Sequence, residues 1–429
     1  MRILIYGLNF APELTGIGKY TGEMAEWLAS HGHEVRVVTA PPYYPAWRVW
    51  EEYRAKSKWY CTETLGENLT VYRCPLWVPE KPTGMKRILH LISFALSSFP
   101  MALLQVDWNP DVVFAVEPSI FSAAMAYATA KLIGTRSWLH VQDFEVDAAF
   151  ELGMLPSHGP VRWLAVNVEE WITSHFDRVS SISRKMVEKS IAKGLPEYKA
   201  VLFPNWVDID FVRPLKEPSS YRTDLQLEDK TIVLYSGNMG NKQGLEVLAP
   251  LAAACQDDPS LHFVFCGDGA YRPKLEADVR ALANVTLLSL QPLEKLNALL
   301  NAADIHLLPQ RAGAADLVMP SKLTGMLSSG RPVVATAEVG TQVAMVVDGC
   351  GLVIPPENPG ALVEAVKALA ADAEMRARMG EAARSYAEKN LGREEVLLQF
   401  ERELSWLMRA GRRERPRAEG DVGRVRREM

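Results

Sequence analysis

The chain reads as an α/β protein with two doubly wound parallel-sheet domains facing each other across a cleft. Two observations predict this. Short β-rich runs alternate with helix-period segments through both halves, the pattern of a parallel sheet covered on both faces. In addition, two loops of the second half pair a lysine with glycines or a helix start, where a Rossmann-like domain grips a phosphate.

In the first half the strand-like runs are Ile3 to Tyr6, Glu34 to Thr39, Leu69 to Arg73, Val112 to Val116, Ser137 to His140 and Arg178 to Ser181. Helical patterns lie at Lys19 to Ser30, Ile120 to Ile133, Val161 to Thr173 and Arg184 to Ala192. The second half repeats the plan, with strands at 231–235, 261–266, 285–289, 305–308, 332–336 and 351–354. The domains expected are residues 1–205 and 206–392, joined by Phe203-Pro204-Asn205-Trp206-Val207-Asp208 and the polar, proline-containing stretch to Lys230. Residues 393–409 form a helix expected to pack back toward the junction. Residues 410–429 alternate arginine with acid and glycine, the composition of a disordered tail.

Composition narrows the function. A length of 429 residues allows two full cores. An apolar content of 48% with 23% charged residues is that of a soluble globular protein. A net charge of −5 argues against general nucleic-acid binding, which needs a broad basic surface. Five cysteines without CxxC or Cys/His spacing read as reduced structural thiols. Arg2 to Gly7 is a short strand, not the long apolar core of a secretory signal, so a cytoplasmic protein is expected. The most apolar run, Ile88 to Leu104 after Lys86-Arg87, would be about 25 Å long as a helix, short for a membrane span, and Pro100 interrupts it. Lys86, His90, Ser93 and Ser97 fall on one narrow polar stripe. The run is either a buried helix or an in-plane membrane contact with Lys86 and Arg87 at the headgroups.

The candidate site begins at Ser236-Gly237-Asn238-Met239-Gly240-Asn241-Lys242-Gln243-Gly244, after an apolar strand. Met319-Pro320-Ser321-Lys322 opens a second short helix. Glycine lets backbone approach an anion, helix starts offer free N–H groups, and lysine adds a full charge. Ser321 is expected to cap its helix. Lys242 and Lys322 are the residues expected to stabilise a diphosphate. Across the cleft, Gly16, Ile17 and Gly18 form the opposing wall. A nicotinamide reading fails because Thr21 occupies the third glycine place and no acid ends the second strand at Thr39-Ala40. Asp208-Ile209-Asp210 has a metal-binding DxD spacing but reads as a turn. Asp143 and Glu145 either orient an acceptor or stabilise a sugar cation, or else cap a helix. His140 is a proton handler or a hydrogen-bonded core residue.

These strings together resemble family 4 glycosyltransferases. The resemblance rests on Pro12 to Tyr20, Pro204 to Asp208, the Lys242 loop, Cys266-Gly267-Asp268-Gly269, Pro320-Ser321-Lys322 and Gly330-Arg331-Pro332-Val333-Val334. It implies the GT-B fold, an acceptor-side first domain, a donor-binding second domain and retention of anomeric configuration. Gly237, Asn238, Gly267, Gly269 and Pro320 then join the lysines and Ser321 around a GDP- or UDP-linked sugar, with no cofactor and no metal. Most members carry two glutamates eight positions apart. Here those places hold Leu317 and Gly325, with Asp316 beside the first as its replacement. The family's His-Asp appears as Gln142-Asp143, and an arginine after the first loop glycine is Asn238. Ala312-Gly313-Ala314-Ala315-Asp316 resembles the colanic-acid and fucosamine-transferase branch. That implies a fucose-type donor, a lipid-diphosphate-linked acceptor and extracellular polysaccharide or O-antigen assembly at the inner membrane face. The missing glutamates leave two alternatives: a sugar-nucleotide epimerase on the same fold, or a non-catalytic nucleotide-sugar-binding partner.

Overall fold

The computed structural model describes residues 1–13, 16–81, 83–151, 159–240, 243–311 and 319–413. Lys242, Asp316, Leu317 and the tail from 414 lie outside them.

The first sheet holds β1 (Arg2–Gly7), β2 (Glu34–Thr39), β3 (Cys61–Thr64), β4 (Leu69–Arg73), β5 (Val112–Glu117), β6 (Arg136–Val141), β7 (Arg178–Ser181) and β8 (Ala200–Leu202). Its spatial order is β3-β4-β2-β1-β5-β6-β7-β8, parallel except for the β3–β4 pair. Helices of this domain are α1 (Gly16–Ser30), α2 (Glu51–Arg54), α3 (Gly84–Leu103), α4 (Ile120–Ile133), α5 (Glu145–Glu151), α6 (Pro160–His175) and α7 (Arg184–Ala192).

The second sheet holds β9 (Thr231–Ser236), β10 (Leu261–Cys266), β11 (Val285–Leu288), β12 (Ile305–Leu308), β13 (Val333–Thr336) and β14 (Gly351–Ile354). Its order, β11-β10-β9-β12-β13-β14, is all parallel and reverses at β9. Around it run α8 (Ser220–Asp224), α9 (Leu248–Ala254), α10 (Arg272–Val279), α11 (Leu296–Ala302), α12 (Lys322–Ser328), α13 (Gln342–Val347), α14 (Pro359–Ala371) and α15 (Ala373–Asn390). Both sheets reverse direction of winding beside their first strand, which opens a crevice at the carboxyl ends of β1 and β9.

Burial explains the strand sequences. Ile3 and Ile5 face one core while Leu4 and Tyr6 face the other, so β1 is apolar at successive positions rather than alternating. The final helix, α16 (Arg393–Arg413), crosses back to the first domain. Leu397, Phe400, Leu404 and Leu407 recur at helical spacing and pack with Ile3, Ile5 and Trp138. Phe400 stacks on Phe203 with ring centres 4.3 Å apart.

The two chain crossings are tied to each other. Val207 N donates to Leu391 O at 2.8 Å and Arg393 N donates to Val207 O at 3.0 Å. Asp208 pairs with Arg393 at 3.0 Å, and its other oxygen accepts from the amides of Asp210 and Phe211. The DxD acid therefore serves a turn and the crossover. The five cysteines are unpaired, four of them buried.

Candidate functional site

On the second-domain side, the loops after β9 and β10 lie backbone against backbone. Gly237, Gly267 and Gly269 have φ of +143°, +148° and +147°. A Cβ on Gly267 would stand 1.9 Å from Gly237 O, and one on Gly269 would stand 2.7 Å from Met239 O. Only glycine fits these places. Met239 N donates to Asp268 O at 2.8 Å, and Tyr271 N donates to Met239 O at 2.8 Å. The Tyr235 hydroxyl donates to Asn238 O at 2.7 Å, fixing the Asn238 turn from beneath.

Lys322 completes this wall. Its Nζ donates to the Tyr235 hydroxyl at 3.1 Å and sits 4.4 Å from that ring's centre. A Cβ on Gly237 would touch Lys322 Cδ at 3.2 Å, so glycine and lysine share one small space. Burial pulls the ammonium down to about 7, with no charged group among the described residues offsetting it. A cation held this way is short of an anion.

Behind it, Arg384 donates to the carbonyls of Val212, Ser328 and Ile209, which anchors α12 to the crossover. Ser321 does not cap α12 with its side chain, contrary to expectation. Its own backbone is already near-helical, and its carbonyl instead accepts from the Thr324 hydroxyl at 2.9 Å. Pro320 closes the first turn by accepting from Leu323 N at 3.0 Å. Gly325, at the place of the family's second glutamate, faces Leu300 Cδ1 at 3.3 Å from a built Cβ.

The first-domain wall is organised by Glu13, which is 2% exposed. One carboxylate oxygen accepts from the amides of Tyr43 and Tyr44 at 2.9 Å each, the other from Asn9 at 2.9 Å. Burial raises its pKa while these donors pull it down. Gly18 serves this packing, since a Cβ there would meet Glu13 at 2.7 Å. Gly16, at φ +63°, starts α1 in contact range of Tyr44, and Ile17 packs toward the α1–α16 core.

Asp143 and Glu145 lie on this wall too. Burial raises the Tyr44 phenol's pKa, and the nearby Asp143 carboxyl pushes it the same way. Glu145 accepts from Ile120 N at 3.4 Å, the helix-capping alternative, and burial pushes its carboxyl up to about 7. Arg87 acts against that shift and lies 6.0 Å from the Trp47 ring centre. His140 turns away into the aromatic core. Trp138 Nε1 donates to Ser180 Oγ at 2.8 Å, and His140 Nδ1 shares a hydrogen bond with the same oxygen at 2.9 Å. Burial drops this imidazole to about 3, leaving it neutral. Gln142 accepts from Asn205 at 3.2 Å, linking the strand end to the crossover.

The two walls meet at Tyr20. Its buried hydroxyl reaches the side chains of Thr324 and Ser321, and its ring packs edge-on against Trp206 at 5.1 Å. Gln342 also accepts from Lys185 N at 3.2 Å across the junction. The structure thus gathers Gly237, Asn238, Gly267, Gly269, Pro320, Ser321 and Lys322 on one wall and Gly16, Asp143 and Glu145 on the other. Sequence reasoning gave no role to Tyr235, Tyr20 or Tyr44, and it assigned Arg87 to membrane headgroups rather than to this wall. The cluster Pro41-Pro42-Tyr43-Tyr44-Pro45 was the one available signal, an aromatic turn directly after β2.

Residues 15–206 match the family described as Glycosyl transferase 4-like domain, and residues 219–386 match Glycosyl transferases group 1. The putative colanic acid biosynthesis glycosyl transferase WcaI of Escherichia coli K12 is 44% identical over 93% of this chain and 98% of its own. Sucrose-phosphate synthase from Thermosynechococcus elongatus superposes with a TM-score of 0.74 at 18% identity, over 96% of this chain and 100% of that one. Anabaena HepE in complex with UDP-glucose gives 0.68 at 14% identity, over 95% and 100%. With matches across both domains and a relative aligned nearly end to end, the chain belongs to the family 4 glycosyltransferases of GT-B fold.

Proposed function

We propose that the protein transfers a sugar, with retention at the anomeric carbon, from a GDP- or UDP-linked donor to a lipid-diphosphate-linked glycan during extracellular polysaccharide or O-antigen assembly. The observation that carries the reading is Lys322, buried against Tyr235 with no anion beside it among the described residues, next to three glycines that bare the loop backbone. When the bond between sugar and diphosphate breaks, negative charge grows on the leaving oxygen. A preorganised ammonium there stabilises that charge more than the ground state. Lys242 and Asp316 remain candidates for the same diphosphate and for the donor sugar. We assign Asp143 the orienting of the acceptor hydroxyl, on the wall that also carries Gly16. We assign the reaction no metal, because Asp208 is occupied by its turn and Arg393.

The polysaccharide role and the fucose-type donor draw on the kinship with WcaI. A peripheral position on the membrane is supported by the first domain's surface. Fourteen of the twenty-three large apolar side chains exposed among the described residues fall between Trp59 and Trp171, and no described helix is long and apolar enough to cross a bilayer.

The test is mass spectrometry of the purified protein incubated with a panel of nucleotide sugars and membrane extract, with and without EDTA. Transfer to a lipid-linked product that survives chelator is expected. Donor turnover without acceptor would point to an epimerase, and binding without turnover to a non-catalytic partner. Magnesium-reversible loss in EDTA would overturn the metal-free assignment.

A further inference from the structure

Helix α3 has two unlike faces. His90, Leu91, Phe94, Ala95, Ser98 and Ala102 pack inward. On the far side Met85, Leu89 and Leu96 are 67%, 48% and 67% exposed, with the partly exposed Ile92 and Phe99 on the same line. Their alternating spacing of four and three residues draws one straight apolar line along a helix about 30 Å long. Trp77 and Tyr60 flank the helix, Tyr60 through a 2.7 Å bond to Ser97 O. Neither α3 nor the adjacent α4 contains a single acid, in a chain with 52 of them. Such a face complements an anionic bilayer and would sink into its acyl boundary.

Arg87 belongs to the opposite face. It lies two residues after Met85, roughly 200° around the helix, and so points inward rather than to headgroups beside Lys86. There it faces Trp47, Tyr43, Tyr44, His90 and Glu145. Among the described residues it has neither an ion pair nor a hydrogen bond, whereas the buried Arg73 has four partners. Glu145, the acid facing it, is held by burial at about 7, so near neutral pH it offsets the Arg87 charge only in part. Burying the α3 stripe in a bilayer would put Arg87 one helix diameter higher, about 10 Å, at the level of lipid phosphates and inside the acceptor wall.

We propose that Arg87 binds the diphosphate of an isoprenoid carrier presented from the bilayer on which the α3 stripe docks. This rests on the lipid-linked acceptor reading and assigns it an anchor. A guanidinium suits the task, since it pairs two phosphate oxygens at once and stays charged. Arg87 is thereby a binding residue for the acceptor carrier, separate from the donor lysine.

The experiment is flotation of the full-length protein with phosphatidylcholine vesicles. One set is plain, one carries a few per cent undecaprenyl diphosphate, and one carries phosphatidylglycerol at equal charge. Wild type should bind the diphosphate vesicles about tenfold more tightly than either other set. Arg87→Gln should lose that gain while keeping its binding to plain vesicles, and Arg87→Lys should restore part of it. Leu89→Glu with Leu96→Glu should weaken binding to all three sets, and circular dichroism checks that these variants fold. Lys322→Ala should retain the gain, because it belongs to the donor wall. The proposal is overturned if Arg87→Gln binds the diphosphate vesicles like wild type. It is equally overturned if phosphatidylglycerol gives the same gain, or if Lys322→Ala abolishes it. The transfer reading itself stands or falls separately, on whether a glycosylated product forms.

Discussion

A lysine that titrates near neutrality should impose its own pH dependence on donor use. Burial holds Lys322 at about 7 against an ordinary 10.5, so about half the free enzyme carries the ammonium at pH 7. If only the charged form binds the diphosphate, kcat/KM for the donor should fall about fivefold between pH 7 and 8, and nearly tenfold over the next unit. A surface lysine would leave the profile flat to beyond pH 9. Once the diphosphate is bound it favours the charged form, so the corresponding limb of kcat should move to higher pH. Donor-analogue binding at pH 7 should therefore take up about half a proton, seen calorimetrically as a buffer-dependent enthalpy. Lys322→Met should lower kcat/KM by roughly a hundredfold or more and abolish the limb. The unfolded chain binds more protons than the native one between pH 7 and 10.5, so wild type should gain stability relative to Lys322→Met across that window. A wild-type kcat/KM flat from pH 6 to 9 would refute the reasoning, because Lys322 would then be either solvated or remote from the donor.

Three further outcomes are expected. Gly267→Ala should destabilise by roughly 2–4 kcal/mol in chemical denaturation and raise the donor KM, because its methyl would collide with Gly237 O. Gly360→Ala, with only Asn358 Oδ1 at 3.7 Å, should cost nothing measurable. Tyr20→Phe should keep the fold but lose about 1 kcal/mol and weaken donor binding several-fold, since the hydroxyl that meets Ser321 and Thr324 is gone; an unchanged donor KM would detach Tyr20 from the site. Glu145, raised from 4.5 to about 7, binds more protons folded than unfolded in that window. Stability should therefore fall as pH rises from 4.5 through 7, and Glu145→Gln should flatten that slope in denaturation curves.

The repeating architecture was legible because its signals are local. Ile120 to Ile133 and Arg184 to Ala192 have the same bounds in sequence and structure, since Gly134 ends the first in a left-handed turn and Ser183 caps the second. β3 and β8 were not legible: each is a short edge strand, defined by a neighbour rather than by an apolar run. The donor wall was half legible. Glycines and a lysine announce a phosphate loop in one dimension, but nothing near Tyr235 in sequence says that its hydroxyl will hold a lysine 87 residues away.

The same limit explains the acceptor wall, where the pattern on α3 misled. Periodicity placed Lys86, His90, Ser93 and Ser97 on one stripe and left Arg87 next to Lys86 as a second headgroup contact. Adjacent helix residues point about 100° apart, so one basic side chain meets solvent while the other enters the domain. His90 is polar yet fully buried, held by Trp77 O at 2.7 Å. A polar stripe on a helix thus marks a change of environment, and only the packed neighbours decide whether that environment is water or a binding wall. For this protein the distinction matters chemically. An arginine at a headgroup adds general affinity for any acidic membrane, whereas one facing Tyr44 and Glu145 selects for an anion that can enter the cleft.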